Sequence, residues 1–169
     1  GPDVPADKVV NTPVTLAEGS NTILAALGLE DEGNPNYQSW VKTANEPDDD
    51  SRVAFSEYHA GGADTAAFMI RKGQHKLINY VEYAPELFDH KTDTEEVNNV
   101  ANDPAYADVM KDLQAELLKL VNPEKVNAEA HAAQAALLAK FGGREAVLNK
   151  GTTQGTPAPG EKIEYIPDN

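Results

Sequence analysis

The sequence predicts an α+β domain, a small antiparallel sheet of about four strands covered by C-terminal amphipathic helices. Three observations lead there. Strand-forming residues concentrate between 52 and 89. Lys72-Gly73-Gln74 reads as a tight turn joining two of those runs into a hairpin. After 103, apolar residues recur every three or four positions, the period of an amphipathic helix. Strands followed by helices is the α+β pattern.

The elements follow in order. Residues 1–14 hold Pro2, Pro5 and Pro13 and read as an extended lead-in. Residues 20–27 read as a helix, with Ser20 or Asn21 as cap and Gly28 as stop. Residues 30–51 are acidic and predicted as loop, with Glu30-Asp31-Glu32 and Asp48-Asp49-Asp50, and with Tyr37 and Trp40 to pin it by packing. Val53 and Phe55 start the first strand, which runs to Tyr58. Ala60-Gly61-Gly62-Ala63-Asp64 interrupts it. The second strand is 66–71, the third 75–81, and 86–89 a short fourth. Asp93-Thr94-Glu95-Glu96 has capping-box spacing and predicts a short helix. Asp103-Pro104 and Asn122-Pro123 each put a capping residue before a proline at a first helical position. Tyr106, Met110, Leu113, Leu117 and Leu120 form the apolar face of one helix; Val126, Ala130, Ala133, Leu137 and Phe141 form that of the next, which stops at Gly142-Gly143. A brief helix near 144–149 and a Gly/Pro/Thr-rich tail follow. The expected organisation is 1–51 as lead-in, short helix and acidic loop, 52–150 as the folded subdomain, and 151–169 as an extended tail.

With 169 residues, 40% of them hydrophobic and 25% charged, the chain is long enough to bury a core. Fourteen basic against 28 acidic residues leave a net charge of −14. Such a surface repels phosphate backbones and anionic lipid heads, so neither nucleic acid nor a membrane is an expected partner. Cysteine is absent, which excludes disulfides, thiolate nucleophiles and cysteine metal sites. No apolar run is long enough to span a bilayer, and no signal peptide is visible. The expected compartment stays open between cytoplasm and periplasm. The start at Gly1-Pro2, without an initiator Met, suggests a piece of something longer.

Little in the residues amounts to a self-contained active site. His59, His75, His90 and His131 include no i, i+4 pair, so metal-ligand spacing is missing. The Asp48-Asp49-Asp50 run lacks the glycine of an EF-hand turn. Ser56 and His59 have odd separation on a strand and face opposite sides. Neither a Gly-x-Ser-x-Gly elbow nor a phosphate-cradling loop is present. What stands out is Ser56-Glu57-Tyr58-His59-Ala60-Gly61-Gly62. Two glycines at a strand end permit close approach, and Glu57, Tyr58 and His59 supply charge and hydrogen bonding for a pocket rim. Glu57 and His59, two apart, should share a side.

Four stretches then carry a resemblance. Arg52 to His59, Phe68 to Ile78, Leu87-Phe88-Asp89 and Asp93 to Ala101 occur in the order and with the gaps of the C-terminal subdomain of bacterial sulfatases, in the alkaline phosphatase superfamily. That pattern is Glu-Tyr, Met-x-Arg-x-Gly-x-x-Lys, Leu-Phe-Asp-Leu and Asp-Pro-x-Glu-x-x-Asn-Leu-Ala. Upstream, Thr12-Pro13-Val14-Thr15-Leu16 and Thr22-Ile23-Leu24 resemble the family's Thr-Pro-Val-Ser-Leu and Pro-Thr-Leu-Leu segments. Downstream, Gly142-Gly143-Arg144-Glu145 and Thr156 to Gly160 resemble tails of a bacterial subset. Departures include Glu18 for Asp, Thr94 for Pro, His90 for Leu, and Gly61-Gly62 where choline-sulfatase-like members show Glu-Gly.

The resemblance implies a longer parent. Its N-terminal α/β domain would carry a Cys or Ser in Cys/Ser-x-Pro-x-Arg, converted to formylglycine, together with a calcium site. None of Ser20, Ser39, Ser51 or Ser56 stands in that motif. The expectation is therefore a subdomain with no catalytic residue and no metal ligand of its own, which completes the fold and lends Glu57, Tyr58 and His59 to the substrate-pocket rim of a sulfuric-ester hydrolase. Its partners would be the missing catalytic domain and possible homo-oligomer copies. The same region of a phosphodiester or phosphonate monoester hydrolase, and a stand-alone binding module, stay open as alternatives.

Overall fold

The computed structural model describes residues 1, 3–29, 33–59, 62–153 and 165–166. The expectations for Glu30-Asp31-Glu32, Ala60-Gly61 and most of the 151–169 tail lie outside the described residues. The chain divides into two compact units, Gly1–Glu124 and Lys125–Asn169.

The first unit is built on an antiparallel meander in the order β1-β2-β3-β4, with β1 at Val53–Tyr58, β2 at Ala67–Lys72, β3 at His75–Tyr80 and β4 at Glu86–Asp89. These fall within a residue or so of the expected strands. Gly73 has φ +54 in the β2–β3 turn, a conformation that a side chain disfavours. A Cβ there would also come within 3.3 Å of the Asp50 carbonyl. Register aligns Ile70 with Leu77 and Leu77 with Leu87, and period two adds Phe68 to that face. All four are fully buried.

Helix α3, Ala107–Leu120, packs on β2 and β3. Its Leu113 and Leu117, one turn apart, are buried. Lys72 Nζ donates to Asp112 Oδ2 at 2.8 Å and Glu116 Oε1 at 3.0 Å, tying β2 to the polar edge of α3. The α+β architecture expected from the sequence is therefore the one observed, with five α-helices among the described residues.

Three local expectations are corrected. Helix α1 spans Glu18–Ala26 and is capped by neither Ser20 nor Asn21. Instead, Glu18 Oε2 accepts from Thr15 N at 3.0 Å, while Asn21 Nδ2 bridges to the Asn34 and Tyr37 carbonyls. Within the expected acidic loop a short helix forms, α2 at Trp40–Asn45, with Ser39 Oγ accepting from Lys42 N. Six residues leave too little periodicity to see. Trp40 does pin the region: a Cβ on Gly19 would lie 3.3 Å from its ring.

Asp93 to Glu96, finally, starts no helix. Asp93 accepts from Val97 N and Asn98 N at 3.1 and 2.9 Å, as a turn-capping carboxylate does. Glu96 has φ +55, and its carboxylate goes to Lys76 and His90 rather than back to Asp93 N. The Asp103-Pro104 cap holds: Asp103 Oδ1 accepts from Ala105 N and opens a one-turn 3-10 segment, Pro104–Tyr106, ahead of α3.

Helix α4 runs Pro123–Lys140 and reaches into the second unit. The remainder of that unit holds α5, Arg144–Lys150, and a two-residue pairing of β5, Thr152–Thr153, with β6, Tyr165–Ile166. Among the described residues no helix is long and apolar enough to cross a membrane.

Candidate functional site

Two polar clusters sit at opposite ends of the sheet. The first is built on the end of β1. Glu57 pairs in register with Phe68, so it shares the face of Phe68, and His59 follows on that side. The His59 ring meets Phe68 edge to face at 5.4 Å between centroids, and Phe55 stacks against Phe68 at 6.5 Å. Fixed there, His59 Nε2 lies 3.6 Å from Glu57 Oε2. The Glu57 side chain is 44% exposed, against 23% for His59, so the carboxylate is the more accessible of the two. Tyr58 points to the opposite face and is half exposed. The strand thus brings Glu57 and His59 together and separates Tyr58 from them.

Further groups gather at this end that the sequence reading did not single out. Tyr83 OH donates to Asp64 Oδ2 at 2.8 Å, clasping the β3–β4 loop to the β1–β2 loop. Tyr80 OH donates to Glu86 Oε2 at 2.9 Å. The Asp64 carboxylate, as hydrogen-bond acceptor, holds the Tyr83 phenol above the usual tyrosine range; burial first and then Glu86 do the same for Tyr80. Both tyrosines stay neutral donors at pH 7. The signal for them was available, because in a meander residues 58–67 and 80–86 must share one end.

The second cluster lies at the other end. Glu96 receives Lys76 Nζ at 2.8 and 2.7 Å and faces His90 Nε2 at 2.7 Å. Tyr106 OH donates to Asp89 Oδ2 at 3.1 Å, with His75 Nε2 at 3.9 Å from the same oxygen. Burial pushes the Glu96 carboxyl up, but the Lys76 and His90 hydrogen bonds outweigh it and hold Glu96 below the usual glutamate range. A depressed folded-state pKa adds stability above the unfolded value, and that stability is lost as pH falls through the folded value. Urea midpoints should therefore be higher for the wild type than for Glu96→Gln at about pH 6, and the difference should shrink steadily as the medium is acidified below the usual glutamate range. A constant difference across that range would show that Glu96 acts by packing alone.

Among the described residues no group of three or more His, Asp or Glu could hold a metal ion. The side chains of these two clusters do not fit a calcium site. A hollow of about 760 Å3 opens beside α1 and α2, lined by Asn21, Ala25, Tyr37, Gln38, Val41 and Lys42 among others. It borders neither Glu57 nor His59, and its lining gathers no catalytic pair.

Residues 4–123 match the family described as N-sulphoglucosamine sulphohydrolase, C-terminal. The chain is 29% identical to arylsulfatase K of Danio rerio over 139 residues, covering 78% of this chain and 26% of that protein. It is also 29% identical to arylsulfatase K of Mus musculus over 142 residues, covering 78% and 25%. Among solved structures, BT1596, a 2-O GAG sulfatase, superposes with a TM-score of 0.56 at 26% identity, covering 71% of this chain and 28% of that one. The chain spans about a quarter of the length of the curated relatives it matches.

Proposed function

The chain belongs to the N-sulphoglucosamine sulphohydrolase C-terminal family and is a C-terminal sulfatase region, and from that premise we propose that it completes the substrate-pocket rim of a longer sulfuric-ester hydrolase. The observation that carries this is the convergence of Glu57 and His59 at one sheet end inside the family-matched stretch. An accessible carboxylate accepts from hydroxyl or cationic groups, and an imidazole N–H donates to oxygen. Together they suit a hydroxyl-bearing substrate such as a sulfated glycan, the class named for the 2-O GAG sulfatase. Tyr58, on the other face, would meet a different part of the rim.

The catalytic portion would supply the formylglycine nucleophile and the calcium ion. It would also cover apolar surface of this chain: Ile23 on α1, and Leu16 and Leu27 just before and after that helix, are 64%, 88% and 66% exposed. A bacterial source is part of the same reading, supported by the resemblance of 142–145 and 156–160 to tails of a bacterial subset.

Contacts to a part of the substrate remote from the sulfate tune substrate choice rather than chemistry. In the native-length protein, Glu57→Gln or His59→Ala should change relative kcat/KM among sulfate esters by roughly 1–3 kcal/mol, the size of a lost charged hydrogen bond. Metal content should be unchanged. A lower Tm with an unaltered substrate ranking would overturn the rim assignment.

A further inference from the structure

Half-buried cations in this fold come with carboxylates, with one exception. Among the described residues, the half-buried lysines and arginines are Arg52, Arg71, Lys72 and Lys76. Arg52 pairs with Glu18, Lys72 with Asp112 and Glu116, and Lys76 with Glu96. Arg71 has no such partner. Its Nε donates to the Gly73 carbonyl at 3.2 Å, and the two terminal nitrogens of the guanidinium meet no acceptor among the described residues. With 28 acidic residues in the chain, carboxylates are not scarce. A partly desolvated charge left without a partner is costly.

We propose that Arg71 takes a carboxylate of the catalytic portion of the longer protein and so seats the sheet on that portion. The proposal rests on the reading that such a portion exists. Lys72 reaches Asp112 and Glu116, so α3 covers the face of Phe68, Ile70 and Lys72. Period two puts Arg71 on the other face. There the register sets Ala54, Arg71, Lys76 and Phe88 in one row across the four strands. Met69 and Ile78, half-buried, pair in the next row of that face. A guanidinium pinned at Nε presents its other two nitrogens side by side, which matches the two oxygens of a carboxylate.

Other occupants fit less well. The carboxylates that this face carries are already engaged: Glu86 by the Tyr80 hydroxyl, and Glu96 by Lys76 and His90. A second copy docking through the same face, as two-fold symmetry requires, would have to take one of these from its partner. A free oxyanion would find a single cation, because Lys76 is occupied by Glu96, and apolar neighbours in place of further donors. A carboxylate on the same polypeptide is held close at high effective concentration and needs no second donor. The substrate rim is also remote. Arg71 lies four residues along β2 from Ala67, the partner of Tyr58, or roughly 13 Å, and on the face opposite Glu57 and His59. The chain spans about a quarter of the length of its relatives, so most of such a protein remains to supply the acid.

The test places Arg71→Gln in two contexts. In the 169-residue chain, where Arg71 pairs with no acid, Tm should move by no more than about 2 °C. In native-length protein Tm should fall by at least about 5 °C, because a carboxylate is left without its cation. Arg71→Lys, which keeps the charge but not the fork, should fall between wild type and Arg71→Gln there. In the 169-residue chain, about 10 mM sulfate, against chloride at equal ionic strength, should change the Tm of wild type and Arg71→Gln equally. A loss of equal size in both contexts would make Arg71 a support of its own sheet, and no loss in either would leave it solvated. A lysine variant no better than Arg71→Gln would remove charge from the account. Sulfate stabilisation confined to wild type would show a free-anion site, and self-association of the 169-residue chain abolished by Arg71→Gln would show a second copy. Each of these results would overturn the proposal. None of the readouts uses sulfatase activity, so the outcome is separate from that of the proposed function.

Discussion

Phe68→Ala will lower the unfolding free energy by roughly 3–5 kcal/mol, the usual cost of emptying a buried aromatic site. Phe68 is fully buried at the second position of β2, and its ring is the shared wall for Phe55 and His59. Its neighbours Ile70, Leu77 and Leu87 are held by strand register and cannot collapse into the void. The effect should also reach the candidate site. With its ring contact gone, His59 loses the wall that sets it 3.6 Å from Glu57. Urea unfolding followed by circular dichroism checks the energy, and a loss below about 1 kcal/mol would mean that the sheet face repacks.

Arg52→Ala will cost about 3–5 kcal/mol, because it strands a buried carboxylate. Glu18, 2% exposed, ion-pairs with the Arg52 guanidinium. Arg52 Nη1 also donates to Thr43 Oγ1 at 3.2 Å, so one side chain joins α1, α2 and the entry to β1. The sign of the second substitution is the informative part. Glu18→Gln removes the charge that Arg52→Ala leaves unpaired, so the double variant should be more stable than Arg52→Ala alone. A double variant as unstable as the single would show that Arg52 acts through packing and Thr43 only.

The sheet was legible because each strand carries its own signal. Alternation at Val53 and Phe55, a glycine at the tight β2–β3 turn, where φ is positive, and a cluster of apolar residues at 87–88 all point to the same answer. The long helices were legible through proline starts and 3–4 spacing. Departures arose where a side chain has two competing uses. The Asp93 and Glu96 spacing suits a capping box, but a hydrogen-bonded pair to Lys76 on β3 and a contact to His90 take Glu96 away, and that competition is invisible without tertiary contacts. Glu18 similarly serves α1 and Arg52 at once. At the candidate site, strand parity placed Glu57 with His59, as the structure does, and put Tyr58 on the other face. The meander brings the loops that carry Asp64 and Tyr83 to one end, but which side chains of the two loops meet depends on loop conformation that alternation and spacing do not encode. α4 shows the opposite case: an apolar stripe that the sequence displays, and that is left exposed after His131.

The central claim, that this chain is the C-terminal part of a sulfuric-ester hydrolase, is tested most directly by sulfate release. Native-length protein would be assayed on a panel of aryl and glycan sulfates, with phosphonate monoesters and phosphodiesters beside them. The account predicts that sulfate esters are preferred by at least roughly tenfold in kcat/KM, or about 1.4 kcal/mol, and that the 169-residue chain alone releases none. Hydrolysis of phosphonate monoesters without sulfate release, or a native product of only 18.2 kDa, would contradict it.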